Sequence, residues 1–391
     1  MFGKGITLFR LVGFEIRLDA SWVVLALLIT WSLAAGLFPQ TVGELSSTTY
    51  WIMGACGAAG LFVSIILHEL AHAVMARQYG IPIRGITLFI FGGVAEMTDE
   101  PPNAKSEFLM AIAGPVMSFL LAGAFIGAAT ASGLFGAPQS VVAVISFLGS
   151  INAILAIFNL IPAFPLDGGR VLRSALWAWK NQYRKATRIS SQLGAGFGII
   201  LIVLGVLALI SGNFIGGLWW AMIGLFLRGA SKMSYRQALI REGLKGEPLR
   251  RFMKEDPVAV APDLTLDRFV EDYVYTHHYK LFPVVDDGAL RGCLSTREVR
   301  RIPRDQWPAQ TVGEVATPCS RHNTISPDED AMRALVVMNQ NNASRLLVVE
   351  DGRLEGIIAL KDLLRFLSVK LDLEGEEDDA RSFAARAAPA E

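Results

Sequence analysis

Six stretches of this chain approach the apolar length a bilayer core demands, about 20 helical residues, the last being short and in need of its flanking residues. They run over 21–38, 52–76, 108–131, 141–160, 193–210 and 214–229. Backbone in hydrocarbon must satisfy its own hydrogen bonds, so such segments read as membrane helices. The loops between them sort by charge. One set carries Lys4, Arg10 and Arg17, then Arg77, Arg84 and Lys105, then Arg170, Arg173, Lys180, Arg184, Lys185 and Arg188, then Arg228, Lys232 and Arg236. The alternate loops, 39–51, 132–140 and 211–213, have no Lys or Arg. Positive charge stays on the cytoplasmic side, so both termini are expected to be cytoplasmic. The lipid bilayer is therefore the first expected partner. With 52% hydrophobic and 18% charged residues, the chain is too apolar for an average soluble protein. A net charge of +0 implies no bulk attraction to nucleic acid, and no such partner is expected. Cys56, Cys293 and Cys319 are isolated and suggest no disulfide framework. The N-terminus lacks a signal-peptide cleavage pattern, so the first apolar helix is expected to be retained.

Within the second apolar run stand His68, Glu69 and His72, an H-E-x-x-H motif. Ionisable groups at that depth are costly and mark a site, a proton path or a partner. Four residues apart on a helix, the two imidazoles share a face and can bind one zinc ion, leaving Glu69 as a base. Plain packing of two histidines is the competing reading. Catalytic zinc takes three protein ligands and keeps one open position. The candidate third ligand lies in NLIPAFPLDGGR at the end of the fourth run, with Asn159, Pro162, Pro165, Asp167, Gly168 and Gly169. The prolines break the helix and the glycines permit close backbone approach. Asp167 is thereby placed on an irregular segment, as a zinc ligand or as a turn aspartate at the membrane surface.

Residues 83–97 between the second and third runs are rich in β-formers and contain Gly92-Gly93, which predicts a strand or hairpin at the membrane surface. An amphipathic loop is the alternative. The N-terminal GITLFRLVGFEIRLD alternates weakly and suggests another strand pair. After Gly229 the chain turns polar, with a helical connector expected over 230–248. From about 249 to 369 it reads as soluble α/β with an internal repeat. Each copy has a helix, an apolar strand, a D-G turn and another strand; VVDDG and VVEDG are hairpin signals. The tail over 374–391, acidic then Ala-rich, is expected to be disordered.

HELAH in the second run and NxxPxxPLDGG at the end of the fourth resemble the site-2 protease family of intramembrane zinc metalloproteases. Ala113–Pro115 and the FGGVAEM segment resemble it too. The repeats resemble CBS domains, which one branch of that family carries. The resemblance implies a multi-pass α-helical membrane protein, with six transmembrane helices, a short membrane-associated β region and a cytoplasmic α/β CBS pair. The domains would be a membrane-embedded metalloprotease over 1–229, the connector, and CBS domains over 249–305 and 312–369. His68, His72 and Asp167 would hold one zinc per chain, Glu69 would be the general base, and Asn159 would bind substrate or stabilise an oxyanion. The strand region near Gly92-Gly93 would present an edge to an unwound transmembrane substrate. The implied activity is cleavage of a transmembrane segment of a membrane-bound regulatory protein in a prokaryotic plasma membrane. A CBS-regulated transporter or channel, with the same residues forming a cation path, is the alternative.

CBS pairs often bind adenine nucleotides through Gly, two apolar residues, Ser/Thr, two residues, then Asp. Here the first copy has Gly292, Ser295 and then Glu298; the second has Gly356, Ala359 and then Asp362. Each copy is imperfect, leaving Ser295 and Asp362 as candidate nucleotide contacts. Dimerisation through the pair, giving a homodimer, is the competing role. His277 and His278 read as solvated or packed residues, not metal ligands.

Overall fold

The computed structural model describes residues 6–89, 92–97, 101–374 and 377–387. Among the described residues, six helices are long and apolar enough to cross a membrane: α1 (Ala20–Thr41), α2 (Ser47–Gln78), α3 (Ala104–Leu134), α4 (Gln139–Asn159), α6 (Tyr183–Ile210) and α7 (Phe214–Leu244). The shorter α5 (Asp167–Lys180) lies between α4 and α6. Polar caps carry α2 and α3 beyond their apolar runs. Ser46 accepts from the Thr49 N–H, and Asn103 forms a reciprocal capping box with Ser106. The connector expected over 230–248 is helical only to Leu244, and it is continuous with the sixth span.

The bundle is inverted relative to a soluble protein. Its exposed side chains include Leu27, Leu120, Ile157, Ile200 and Leu207, whereas Ser64, Glu107, Ser118, Asn152, Ser190 and Ser231 are buried. Lipid solvates the apolar faces, so polar side chains turn inward to find partners. Asn152 Nδ2, for example, donates to Ser64 Oγ at 3.0 Å and to the Leu148 carbonyl at 2.8 Å. Small residues let helices touch: a Cβ at Gly198 of α6 would lie 2.7 Å from the Gly224 carbonyl oxygen of α7.

A four-stranded sheet caps part of this bundle. Strands β1 (Ile6–Leu11), β2 (Phe14–Leu18), β3 (Ile83–Phe89) and β4 (Gly92–Met97) lie in that order. The two hairpins are antiparallel, and β2 runs parallel to β3, with Ile16 opposite Ile86. Both expected strand pairs thus form, and they join into one sheet. Phe14, Ile16, Ile86 and Leu88 bury against Ala73 and its neighbours Ile65, Ile66 and Leu70. The sheet therefore packs on the helix that carries the H-E-x-x-H motif.

Beyond Ala238 the chain forms a second compact unit. Its strands are β5 (Lys254–Glu255), β6 (Leu281–Asp286), β7 (Ala289–Ser295), β8 (Thr317–Pro318), β9 (Thr324–Ile325), β10 (Arg345–Glu350) and β11 (Arg353–Ala359). The helices used below are α8 (Thr296–Val299), α9 (Ala331–Gln340), α10 (Leu360–Leu373) and α11 (Glu377–Ala387). Both D-G hairpins form as two-residue turns. Asp287-Gly288 and Asp351-Gly352 all have positive φ, as a type I′ turn requires. Strand exchange joins the repeats: β5, the leading strand of the first, pairs with β11 of the second at Gly356 opposite Glu255. Likewise β8, the leading strand of the second, pairs with β7 of the first at Gly292 opposite Pro318.

The first repeat buries Phe269, Phe282 and Leu294, and the second buries Leu346, Leu347, Ile358 and Leu363. The expectation of a disordered tail is corrected over 377–387, which forms α11. Ala380 and Phe383, three apart on one helix face, are buried there. Ser368 Oγ of α10 donates to the Ala380 carbonyl at 3.0 Å. The remaining tail residues, 375–376 and 388–391, lie outside the described ones.

Thiol chemistry checks the second unit. Cys293 is buried on β7 and Cys319 is exposed. Burial pushes the Cys293 thiol up to about 11, although the Asn323 amide donates to its sulfur. The thiolate is the nucleophile, so at pH 7 a water-soluble maleimide should label Cys319 roughly tenfold or more faster than Cys293. Labelling of Cys293 should climb with pH toward 11. Equal rates at neutral pH, read by peptide mass spectrometry, would contradict the packing of β7.

Candidate metal centre

The centre is assembled from two distant parts of the chain. His68 and His72 stand one turn apart on α2, and both are buried. Asp167 is the first residue of α5. The segment before it folds back tightly: a Cβ at Gly169 would fall 2.5 Å from the Phe164 nitrogen, and one at Gly168 would overlap the Leu160 carbonyl. That close approach is why two glycines follow the aspartate.

The three side chains converge. His68 Nε2 lies 3.1 Å from Asp167 Oδ2, His72 Nε2 lies 3.2 Å from the same oxygen, and the two Nε2 atoms are 3.2 Å apart. Ligands about 2.0–2.1 Å from a tetrahedral zinc ion stand roughly 3.3 Å from one another. Two imidazoles and a carboxylate at this separation therefore fit one face of such a coordination sphere. Among the described residues, these are the ones whose ligand atoms cluster in this way.

The outer ring atoms are fixed by α3. His72 Nδ1 lies 2.6 Å from the Met110 carbonyl, and His68 Nδ1 lies 2.9 Å from Ser118 Oγ. A carbonyl only accepts, so His72 carries a proton on Nδ1 and turns Nε2 toward the other two ligand atoms. Such a partner orients a ligating imidazole and raises its basicity. Between Met110 and Ser118 on the same face stands Gly114. A Cβ there would overlap His72 Nε2 and lie 2.5 Å from His68 Nε2. Sequence reasoning noted Ala113–Pro115 only as a resemblance and missed Met110 and Ser118. The available signal was a four-residue spacing of Met110, Gly114 and Ser118 along an apolar helix.

Glu69 is half-buried beside the two histidines. It lies against β4: a Cβ at Gly93 would be 2.6 Å from Glu69 Cγ and 3.2 Å from Oε1. Among the described residues β4 is the outer strand of its sheet, so its far edge has no strand partner. Asn159 is the last residue of α4, half-buried, with no side-chain hydrogen bond among the described residues.

The two CBS candidates occupy equivalent places in the repeats. Ser295 caps α8, and its N–H donates to the Glu298 carboxylate at 2.9 Å. Its hydroxyl donates to that same carboxylate, so Glu298 engages the group expected to face a nucleotide. In the second copy Ala359 makes no side-chain cap, and Asp362 is half-buried in the first turn of α10.

A helical bundle that brings two buried histidines and a half-buried aspartate into one ligand triangle has the form of a membrane-embedded metal site. The model of peptidase family M50 matches residues 56–136 and 130–203, and the CBS domain model matches 249–305 and 312–369. The zinc metalloprotease Rip3 of Mycobacterium tuberculosis is 32% identical over 366 residues, covering 93% of both chains. The zinc metalloprotease MJ0392 of Methanocaldococcus jannaschii is 32% identical over 374 residues, covering 96% of this chain and 99% of that one. The solved site-2 protease from Methanocaldococcus jannaschii is 30% identical, covers 59% of this chain and 95% of that chain, and superposes with a TM-score of 0.41. This chain belongs to peptidase family M50: it is a multi-pass zinc metalloprotease of the site-2 type with a CBS pair.

The triangle leaves no room for a methyl group. Gly114→Ala should lower zinc content from near one per chain to a small fraction, measured by elemental analysis of detergent-purified protein. Full zinc occupancy in that variant would contradict the packing of α3 on the histidines.

Proposed function

We propose that the protein is an intramembrane endopeptidase that cuts a transmembrane segment of a membrane-bound regulatory protein. The observation that carries this reading is the convergence of His68, His72 and Asp167 beside Glu69 inside a bundle with lipid-facing walls. His68, His72 and Asp167 would hold one zinc ion per chain. Zinc, when bound, supplies a Lewis acid that polarises the scissile carbonyl and lowers the pKa of water.

The remaining work falls to the protein's own side chains. Glu69 takes a proton from the attacking water as the new C–O bond forms. It returns that proton to the amide nitrogen as the C–N bond breaks. Asn159, whose amide has no other partner among the described residues, donates to the developing oxyanion. A transmembrane helix hides its carbonyls in backbone hydrogen bonds, so the scissile stretch must unwind first. The outer edge of β4, beside Glu69, offers backbone groups to such a strand and would satisfy those it freed on unwinding.

The segregation of Lys and Arg supports cytoplasmic termini and a plasma-membrane location. The CBS pair would then modulate the enzyme from the cytoplasm. An adenine nucleotide contacting Asp362 and Ser295 is part of this proposal, as is association of two chains through the pair. Glu298, bound to both donor groups of Ser295, favours the second repeat as the principal contact. Family membership and the ligand triangle favour hydrolysis over the transporter alternative.

Glu69→Gln should retain near one zinc per chain yet lose about 10²- to 10⁴-fold in cleavage of a reconstituted transmembrane substrate. Asp167→Ala should lose the metal itself. Cleavage at wild-type rate by Glu69→Gln would overturn the assignment of the base.

A further inference from the structure

We infer that Glu107 and Arg173 are positioning residues for the metal site: this buried ion pair holds Asp167 in register with the two histidines. The inference rests on the ligand set proposed above and concerns what fixes its third member.

Glu107 is fully buried on α3, and Arg173 is 6% exposed on α5. Arg173 Nε donates to Glu107 Oε1 at 2.7 Å, and its Nη2 donates to the same oxygen. Arg170 adds a third nitrogen 3.9 Å from that oxygen. The Arg173 guanidinium also lies 4.9 Å from the ring centres of Phe164 and Tyr183. One side chain thus touches α3, the segment before Asp167, and the start of α6. The segment is held from another side as well: the Phe164 N–H donates to the Ser190 carbonyl at 3.3 Å, and Ser231 Oγ donates to the Phe164 carbonyl at 2.5 Å.

The register on α3 gives this grip its meaning. Glu107, Met110, Gly114 and Ser118 follow spacings of three, four and four, a single helix face. Met110 and Ser118 set the histidine rings, Gly114 leaves room for them, and Glu107 ties down the helix that begins with Asp167. A rigid helix therefore references all three ligands to one surface. A site held this way keeps its ligands within a few tenths of an ångström of their working positions. Neither Glu107 nor Arg173 lies in the ligand triangle, so their influence on the metal passes through α5.

The test uses the full chain in detergent, with two probes: zinc in competition with a chelator, and cobalt(II), whose visible spectrum reports ligand geometry. The variants are Arg173→Gln, Arg173→Lys and the charge-free double change Glu107→Gln with Arg173→Met. The double change removes both charges of the pair together and costs the partly exposed Arg170 only its 3.9 Å contact, so the bundle should persist with an unfolding midpoint near that of the metal-free wild type. Zinc affinity should drop roughly tenfold to a hundredfold in Arg173→Gln and in the double variant, with a shifted cobalt spectrum. Arg173→Lys should fall between, because lysine keeps the charge and lacks the planar fork. If Arg173→Gln does not fold, the other two decide. Weakened zinc at an unchanged unfolding midpoint supports the inference; wild-type zinc affinity and cobalt spectrum in the double variant overturn it. A wild-type chain that binds no zinc would instead bring down the ligand assignment itself.

Discussion

Two imidazoles and a carboxylate meet inside a bundle whose outer surface is hydrocarbon-like, and much of the membrane unit is arranged around that meeting. An isolated buried charge costs several kcal/mol unless it is paired. The groups are tolerable only because each has a partner: His68 and His72 find α3 on one side and Asp167 on the other. A divalent cation at their common centre, as proposed, would complete the compensation. The same residues that would be unfavourable as ornaments are favourable as a ligand set.

Helix α3 supplies the order. It carries no proposed ligand, and its contribution is a face: Glu107, Met110, Gly114 and Ser118. Two of these fix imidazole orientation, one is defined by an absent side chain, and one grips α5 through Arg173. The sheet is complementary. Its apolar side packs on α2 through Ile16, Ile86 and Leu88, and its outer strand comes down over Glu69. In the proposed function, metal geometry and access of an extended chain would fall to different elements, each packed on the helix that bears the histidines.

The soluble unit follows a separate logic. Each repeat donates its leading strand to the other repeat's sheet, at matching positions next to Gly292 and Gly356. Neither sheet is complete alone, so the two copies form one folding unit. The imperfect signatures also differ in structure: Glu298 engages Ser295, whereas Asp362 has no cap residue beside it. The repeats thus differ at the positions proposed to contact a nucleotide.

The sequence alone determined a good deal here, because its strongest signals are local. Spans follow from runs of apolar residues, and the hairpins from Asp-Gly at 287–288 and 351–352. His68 and His72 are legible because one helical turn puts them on the same face. Asp167 is legible because a charged residue stands out at the end of an apolar run. Other features depend on contacts between segments that are remote in the chain. Glu107 and Arg173 look like ordinary loop-side charges until α3 and α5 pack together and exclude water. Met110 takes part through its carbonyl, which no side-chain motif can reveal. Residues 377–387 have a disorder-like composition, yet Ala380 and Phe383 find burial. Only the tertiary structure decided these points, because burial and pairing depend on what lies across the interface, and a residue's identity does not record its distant neighbour.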